Sequence, residues 1–76
     1  MNQARRKQIN EIAGLLEGLK ERIESLKDEE QDAYDNMPEG LQQGDRGQQM
    51  EAAIDQLQEA VDSIESGVDA LNEASV

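Results

Sequence analysis

Residues 9–26 read INEIAGLLEGLKERIESL, and residues 50–71 read MEAAIDQLQEAVDSIESGVDAL. In the first stretch Ile9, Ile12, Leu16, Leu19, Ile23 and Leu26 recur at alternating steps of three and four. In the second, Met50, Ile54, Leu57, Val61, Ile64, Val68 and Leu71 do the same. That spacing places the apolar side chains on one narrow stripe of a helix, the signature of a coiled-coil seam. The chain is therefore expected to be all-α, with two long helices that each need a partner for the stripe. With Ile9 as heptad position a, the first helix carries Ile9, Leu16, Ile23, Glu30 and Met37 at a. Arg5, Ile12, Leu19, Leu26 and Ala33 fall at d. The second carries Ile54, Val61, Val68 and Ser75 at a, and Met50, Leu57, Ile64 and Leu71 at d.

The segment between the stripes sets how they meet. Pro38 disfavours helical geometry at Met37, so the first helix is expected over about 3–36. Asn36 with Glu39 three residues on reads as a capping box for a short helical turn within a loop at 37–45. Leu41 is expected to fold back over the end of the stripe, and Gly44 to supply a left-handed exit. Asp45 with Gln48 reads as the cap of a second helix over about 46–74. A connection this short allows only an antiparallel two-helix hairpin within the single domain 1–76. Its layers pair Met37 with Met50, Ala33 with Ile54, Leu26 with Val61, Ile23 with Ile64, Leu19 with Val68 and Leu16 with Leu71. The same register sets Lys20 opposite Glu65, Lys27 opposite Gln58 and Tyr34 opposite Glu51 along the e edge. Gly14 and Gly18 fall at outward positions, each costing about 1 kcal/mol of helix propensity relative to Ala.

Size and composition bear on the partner. Tyr34 is the only aromatic residue among 76, and there is no Cys and no His. A disulfide staple and a zinc site are thus absent. A lone hairpin of this size gains little over its conformational entropy, at roughly 1.5 kcal/mol per ordered residue. Association with a second copy is the remaining common way to bury apolar area, and a homodimer forming a four-helix bundle is expected. The g edge of the second helix, Ala53, Ala60, Gly67 and Ala74, presents a small residue every heptad. With Leu15 on the g edge of the first helix, it is the expected self-association face. The competing reading is that Ala is simply a good helix former in a compositionally simple helix.

The formal charge is −11, which disfavours nucleic acid and anionic membrane surfaces as partners. No stretch has the length of a membrane span or the apolar run of a secretory leader, so a cytosolic location is expected. Catalysis by Ser–His–Asp or Cys–His groups is impossible without His and Cys. The Glu-x-x-His motif of helical di-metal sites is missing too. No catalytic residue, cofactor or metal is expected. The densest acidic run, Asp28 to Asp35, lacks the glycine and ligand spacing of a calcium loop and is spread around a helix. Glu30, a polar intrusion in the stripe opposite Leu57, reads as a register-fixing residue or as a side chain reaching solvent, well ahead of a catalytic acid.

Arg5, Arg6 and Lys7 oppose the dipole at their helix N-terminus and are expected to pair with Glu73 across the hairpin. Asp55, Glu59, Asp62, Glu65, Asp69 and Glu73 place carboxylates on successive turns of the second helix. Such a row suits a basic partner surface, although a solvated outer face is the commoner use of acidic residues.

The loop segment Asp28-Glu-Glu-Gln-Asp-Ala-Tyr-Asp-Asn-Met-Pro-Glu-Gly-Leu-Gln42, with Arg46-Gly47 and the Ala/Leu/Asp/Glu helix that follows, resembles small acidic helical proteins encoded by bacteriophages and prophages. The resemblance implies a bacterial cytosolic setting and carries over no activity. The expected function is a non-enzymatic protein–protein interaction module, of the kind a phage accessory protein provides, binding a host or phage protein. One alternative is an acidic nucleic-acid mimic that inhibits a DNA- or RNA-binding protein. The other is a small RNA-binding hairpin dimer built on Arg5–Lys7.

Overall fold

The computed structural model describes residues 1–76 and is all-α, with no strand. Helix α1 spans Gln3–Asp35, the short α2 spans Glu39–Gln42 and α3 spans Asp45–Ala74. Together they form a rod of 58 × 14 × 12 Å. Asn2 caps α1, its Oδ1 accepting the Arg5 backbone N–H at 2.8 Å. Pro38 ends α1 as its geometry requires, with Asn36 as the C-cap donating its backbone N–H to the Asp32 carbonyl at 3.0 Å.

Helix α1 packs along α3. Three cross-helix contacts give the direction: Tyr34 with Glu51, Lys27 with Gln58 and Lys20 with Glu65. Each heptad down α1 meets a heptad up α3, so the two helices run in opposite senses. These are the e-edge partners the sequence predicts. The same register carries the first turns of α1 past the end of α3. That is why the expected pairing of Arg5–Lys7 with Glu73 does not form: Lys20–Glu65 is the only ion pair.

The roll of α1 about its own axis differs from the sequence expectation. Val61 and Val68, both at a positions of α3, are buried at 5% and 3% exposure, as is Ala13 on the e edge of α1 at 5%. The d residues of α1 are not covered: Ile12, Leu19 and Leu26 are 48%, 46% and 56% exposed, and Ala33 is exposed. Layers such as Leu26 on Val61 are therefore open on one flank. The cause is the e edge. Lys20, Lys27 and Tyr34 lay long side chains toward α3, and the Lys20 side chain keeps only 16% exposure while its ammonium stays near Glu65. Aliphatic stems that cover apolar surface while the charge stays wet draw that edge inward. The opposite d/g edge turns outward.

The corner departs from prediction in four details. Asn36 closes α1 rather than capping α2, whose N-cap is Pro38 with no side-chain hydrogen bond, so no capping box forms. Gly44 has φ −77° and is itself the N-cap of α3. It is not left-handed, and Asp45 is the first helical residue instead of the cap. Leu41 is 59% exposed and does not seal the stripe. What holds the corner is polar. The Gln42 side-chain amide donates to the Tyr34 carbonyl at 2.8 Å, which also accepts the Met37 backbone N–H at 3.1 Å, so the end of α1 is tied to α2. Gly47, buried in the first turn of α3, lets the chain pass so close that a Cβ there would lie 2.0 Å from the Gln42 carbonyl oxygen.

Candidate functional site

Three surfaces of the rod have distinct chemistry. The first is the acidic side of α3. Asp55, Glu59, Asp62, Glu65, Asp69 and Glu73 are all exposed, at b, e and f positions that turn away from the small-residue g edge. Two are held from within the chain: Gln58 donates to Asp62 at 2.9 Å while accepting from Lys27 at 2.6 Å, and Glu65 stands 4.0 Å from Lys20. The Lys20–Glu65 pair is half in water and adds little stability. The other four carboxylates have no side-chain partner.

The second surface is the flank that the roll of α1 leaves open. All three cross-helix polar contacts lie on the e edges, so the two g edges share the other side of the rod. There Leu15, 69% exposed, stands with Ile12, Leu19 and Leu26 of α1. Along α3 the same side carries Ala53, Ala60 and Gly67, half-buried, and the exposed Ala74. The five residues singled out for self-association are thus brought to one face. The c positions beside them, Gln49, Gln56, Ser63 and Ala70, are uncharged. After Arg46 this flank of α3 bears no charge at all, in a chain of net charge −11. Sequence reasoning identified the small residues but missed Ile12, Leu19 and Leu26, because a heptad pattern assigns d residues to the intramolecular seam.

The third surface is a cleft of about 540 Å³ at the corner, lined by Ala33, Met37, Leu41, Gly44, Arg46 and Met50 among others. Ala33 and Met50 are d residues and Arg46 a g residue, so the cleft continues the open flank toward the turn. Its lining has apolar walls, with the Asp45 carboxylate and the Arg46 guanidinium as its charged groups.

Elsewhere the polar chemistry is sparse. The carboxylates of Asp28–Asp35 do not converge, and no group of three or more potential metal ligands exists. Glu30 is half-buried and makes no side-chain hydrogen bond or ion pair. Tyr34 donates its phenolic proton to Glu51. That hydrogen bond, with smaller contributions from desolvation and from the charges of Glu51 and Asp35, raises its pKa above the ordinary 10.0. The phenol is neutral below that range, so the contact is intact there and is lost as pH rises through the elevated value. Alkaline titration followed by tyrosinate absorbance should show ionisation later than in the unfolded chain. Replacing Glu51 with Gln should bring the midpoint back toward that of free tyrosine.

No helix is long and apolar enough to cross a membrane. Comparison with protein-family models, curated proteins and solved structures finds no match.

Proposed function

We propose that the chain is an antiparallel helical hairpin that pairs with a second copy into a four-helix bundle and serves as a non-enzymatic protein-binding module. One observation carries this reading: charge is segregated around α3. Six exposed carboxylates occupy one side, while the opposite flank is uncharged and adjoins half-exposed leucines of α1. Solubility alone needs no such segregation. Two faces of opposite character suit two different contacts, an apolar one between copies and an acidic one toward a partner.

The partner of the acidic face is a protein with a basic surface, in the bacterial cytosol that the phage-like loop segment implies. Charge complementarity of this kind steers encounter and weakens with salt. Proteins retained from a bacterial lysate by the immobilised chain should be basic and should elute as ionic strength rises. Changing Asp55, Asp62 and Asp69 together to Asn should abolish that retention, because three of the six carboxylates lie on a single line. Equal retention by the triple variant at low salt would overturn the role of this face. A target whose nucleic acid competes for the same groove would identify the module as a nucleic-acid mimic.

A further inference from the structure

Resting on the self-association proposed above, we propose that the two copies dock head to tail across a two-fold axis that crosses α1 at Leu19, so that α1 of each copy lies antiparallel on α1 of the other. Three placements on the open flank lead to this axis.

The apolar residues of this flank are symmetric about Leu19. The exposed Ile12 and Leu26 lie one heptad on either side of it, and the exposed Leu15 has the half-buried Ile23 as its counterpart one turn on the other side. An isologous contact requires a patch that is complementary to itself under the symmetry operation. A dyad at Leu19 sets Leu19 on its own copy, Ile12 on Leu26 of the other chain and Leu15 on Ile23.

The charges of α1 follow the same axis. Its first turn contains Arg5 and no acid, and its last turn contains Asp32 and Asp35 and no base. Both ends thus oppose the helix macrodipole, and nothing within one chain compensates. Arg5 is at a d position, on the open flank, exposed and without an ion-pair partner. The Leu19 dyad brings it level with Ala33 of the other copy, between Glu29 and Asp32. Parallel docking would instead gather both Arg5–Lys7 clusters at one end and both acidic corners at the other.

The shape fits as well. The first turns of α1 run past the end of α3, and head-to-tail docking lays them over the corner of the other copy, where the apolar cleft around Met37 and Met50 is open. A face of at most 58 × 14 Å, on the order of 800 Å², is what each partner contributes to a standard-size interface. For a chain of charge −11, a second copy meets least repulsion on the one flank where α3 carries no acid.

The chain has no cysteine, so a single Gly40→Cys change in α2 gives a unique spin-label site, and Gly40 has no neighbour within 4 Å of an added Cβ. Pulsed dipolar spectroscopy on the labelled dimer should find the two labels roughly 50 Å or more apart, at opposite ends of the bundle. A separation within roughly 25 Å, the width of adjacent helices 8–10 Å apart, would overturn the head-to-tail axis and leave self-association standing. A monomer mass by sedimentation at micromolar concentration would overturn both.

Charge reversal gives an independent readout. Arg5→Glu should weaken the dimer about fivefold or more at low salt, since two symmetry-related contacts are lost. It should leave monomer folding intact or improved, because an acid suits the first turn of a helix. Adding Glu29→Arg restores the net charge of the native chain and should restore the dimer. Unchanged or tighter association of Arg5→Glu alone would overturn the assignment.

Discussion

Gly47→Ala is expected to unfold the protein at a markedly lower temperature than the native chain, against the usual effect of replacing a helical glycine. Propensity alone favours Ala over Gly within a helix by about 1 kcal/mol. At Gly47 that gain is outweighed. The added Cβ would sit 2.0 Å from the Gln42 carbonyl oxygen and 2.5 Å from its carbon, and these are backbone atoms that cannot swing aside. Either α2 moves off α3 or the first turn of α3 unwinds. Movement of α2 also breaks the Gln42 contact to the Tyr34 carbonyl and reopens the end of α1. Overpacking of this kind costs typically 1–3 kcal/mol, and for a domain of this size each kcal/mol moves Tm by roughly 4–8 °C. Gly14 supplies the contrast, since an added Cβ there meets nothing within 4 Å. Gly14→Ala should therefore raise Tm by several degrees, following the propensity difference of about 1 kcal/mol. Thermal melts of the two variants, followed by circular dichroism, should shift in opposite directions. A Gly47→Ala protein as stable as the native one would mean that α2 is not held against α3 as described.

Ala60→Arg is expected to convert the proposed dimer to a monomer with little loss of helix. Ala60 lies on the half-buried g edge of α3, beside the flank where Leu19 and Leu26 stand open. Within one chain Ala60 is only half-buried, and Arg ranks close to Ala in helix propensity. In a bundle the same guanidinium would be placed on an apolar contact with no carboxylate on its own flank of α3. Burying an unpaired charge is strongly destabilising, on the order of 3–5 kcal/mol, and a two-fold dimer suffers it twice. Association should weaken by at least roughly two orders of magnitude. Sedimentation should then show the mass of one chain where the native protein is expected to show two. A variant that keeps its dimer mass would place the contact on another face. If the native chain is itself a monomer with a sharp thermal transition, the size argument for a partner is wrong.

The acidic row and the apolar flank are suited to different measurements. Retention on a basic partner should respond to salt and to the Asp55, Asp62 and Asp69 changes. Dimer mass should respond to Ala60 and hardly at all to those carboxylates, which face away from the flank. Parallel losses in both assays would mean that partner binding requires the bundle, as it would if each acidic row supplied half of a single site.

The heptad stripes determine much of this protein by themselves. Their length fixes two long helices, the short connection through Pro38 fixes opposite directions, and Lys20, Lys27 and Tyr34 meet the partners that the register predicts. Such features depend on apolar period and chain connectivity, both written locally in the sequence. The acidic row of α3 was legible for the same reason, since placement around a helix follows from spacing. Two features were decided only by tertiary structure. The roll of α1 depends on competition between the d edge, rich in leucine, and the e edge, whose long polar side chains reach across to α3. Heptad counting assigns the seam to a and d without weighing that reach, and so it hid Ile12, Leu19 and Leu26 as an open surface. The corner depends on how closely two backbones pass at Gly47 and on one amide, Gln42, reaching back to α1. No period marks either residue. The failure of Arg5–Lys7 to meet Glu73, by contrast, follows from the register the sequence already sets, since pairing Leu16 with Leu71 leaves the first turns of α1 beyond the end of α3. A sequence of this kind therefore specifies which faces are apolar, and packing determines which of them stays open.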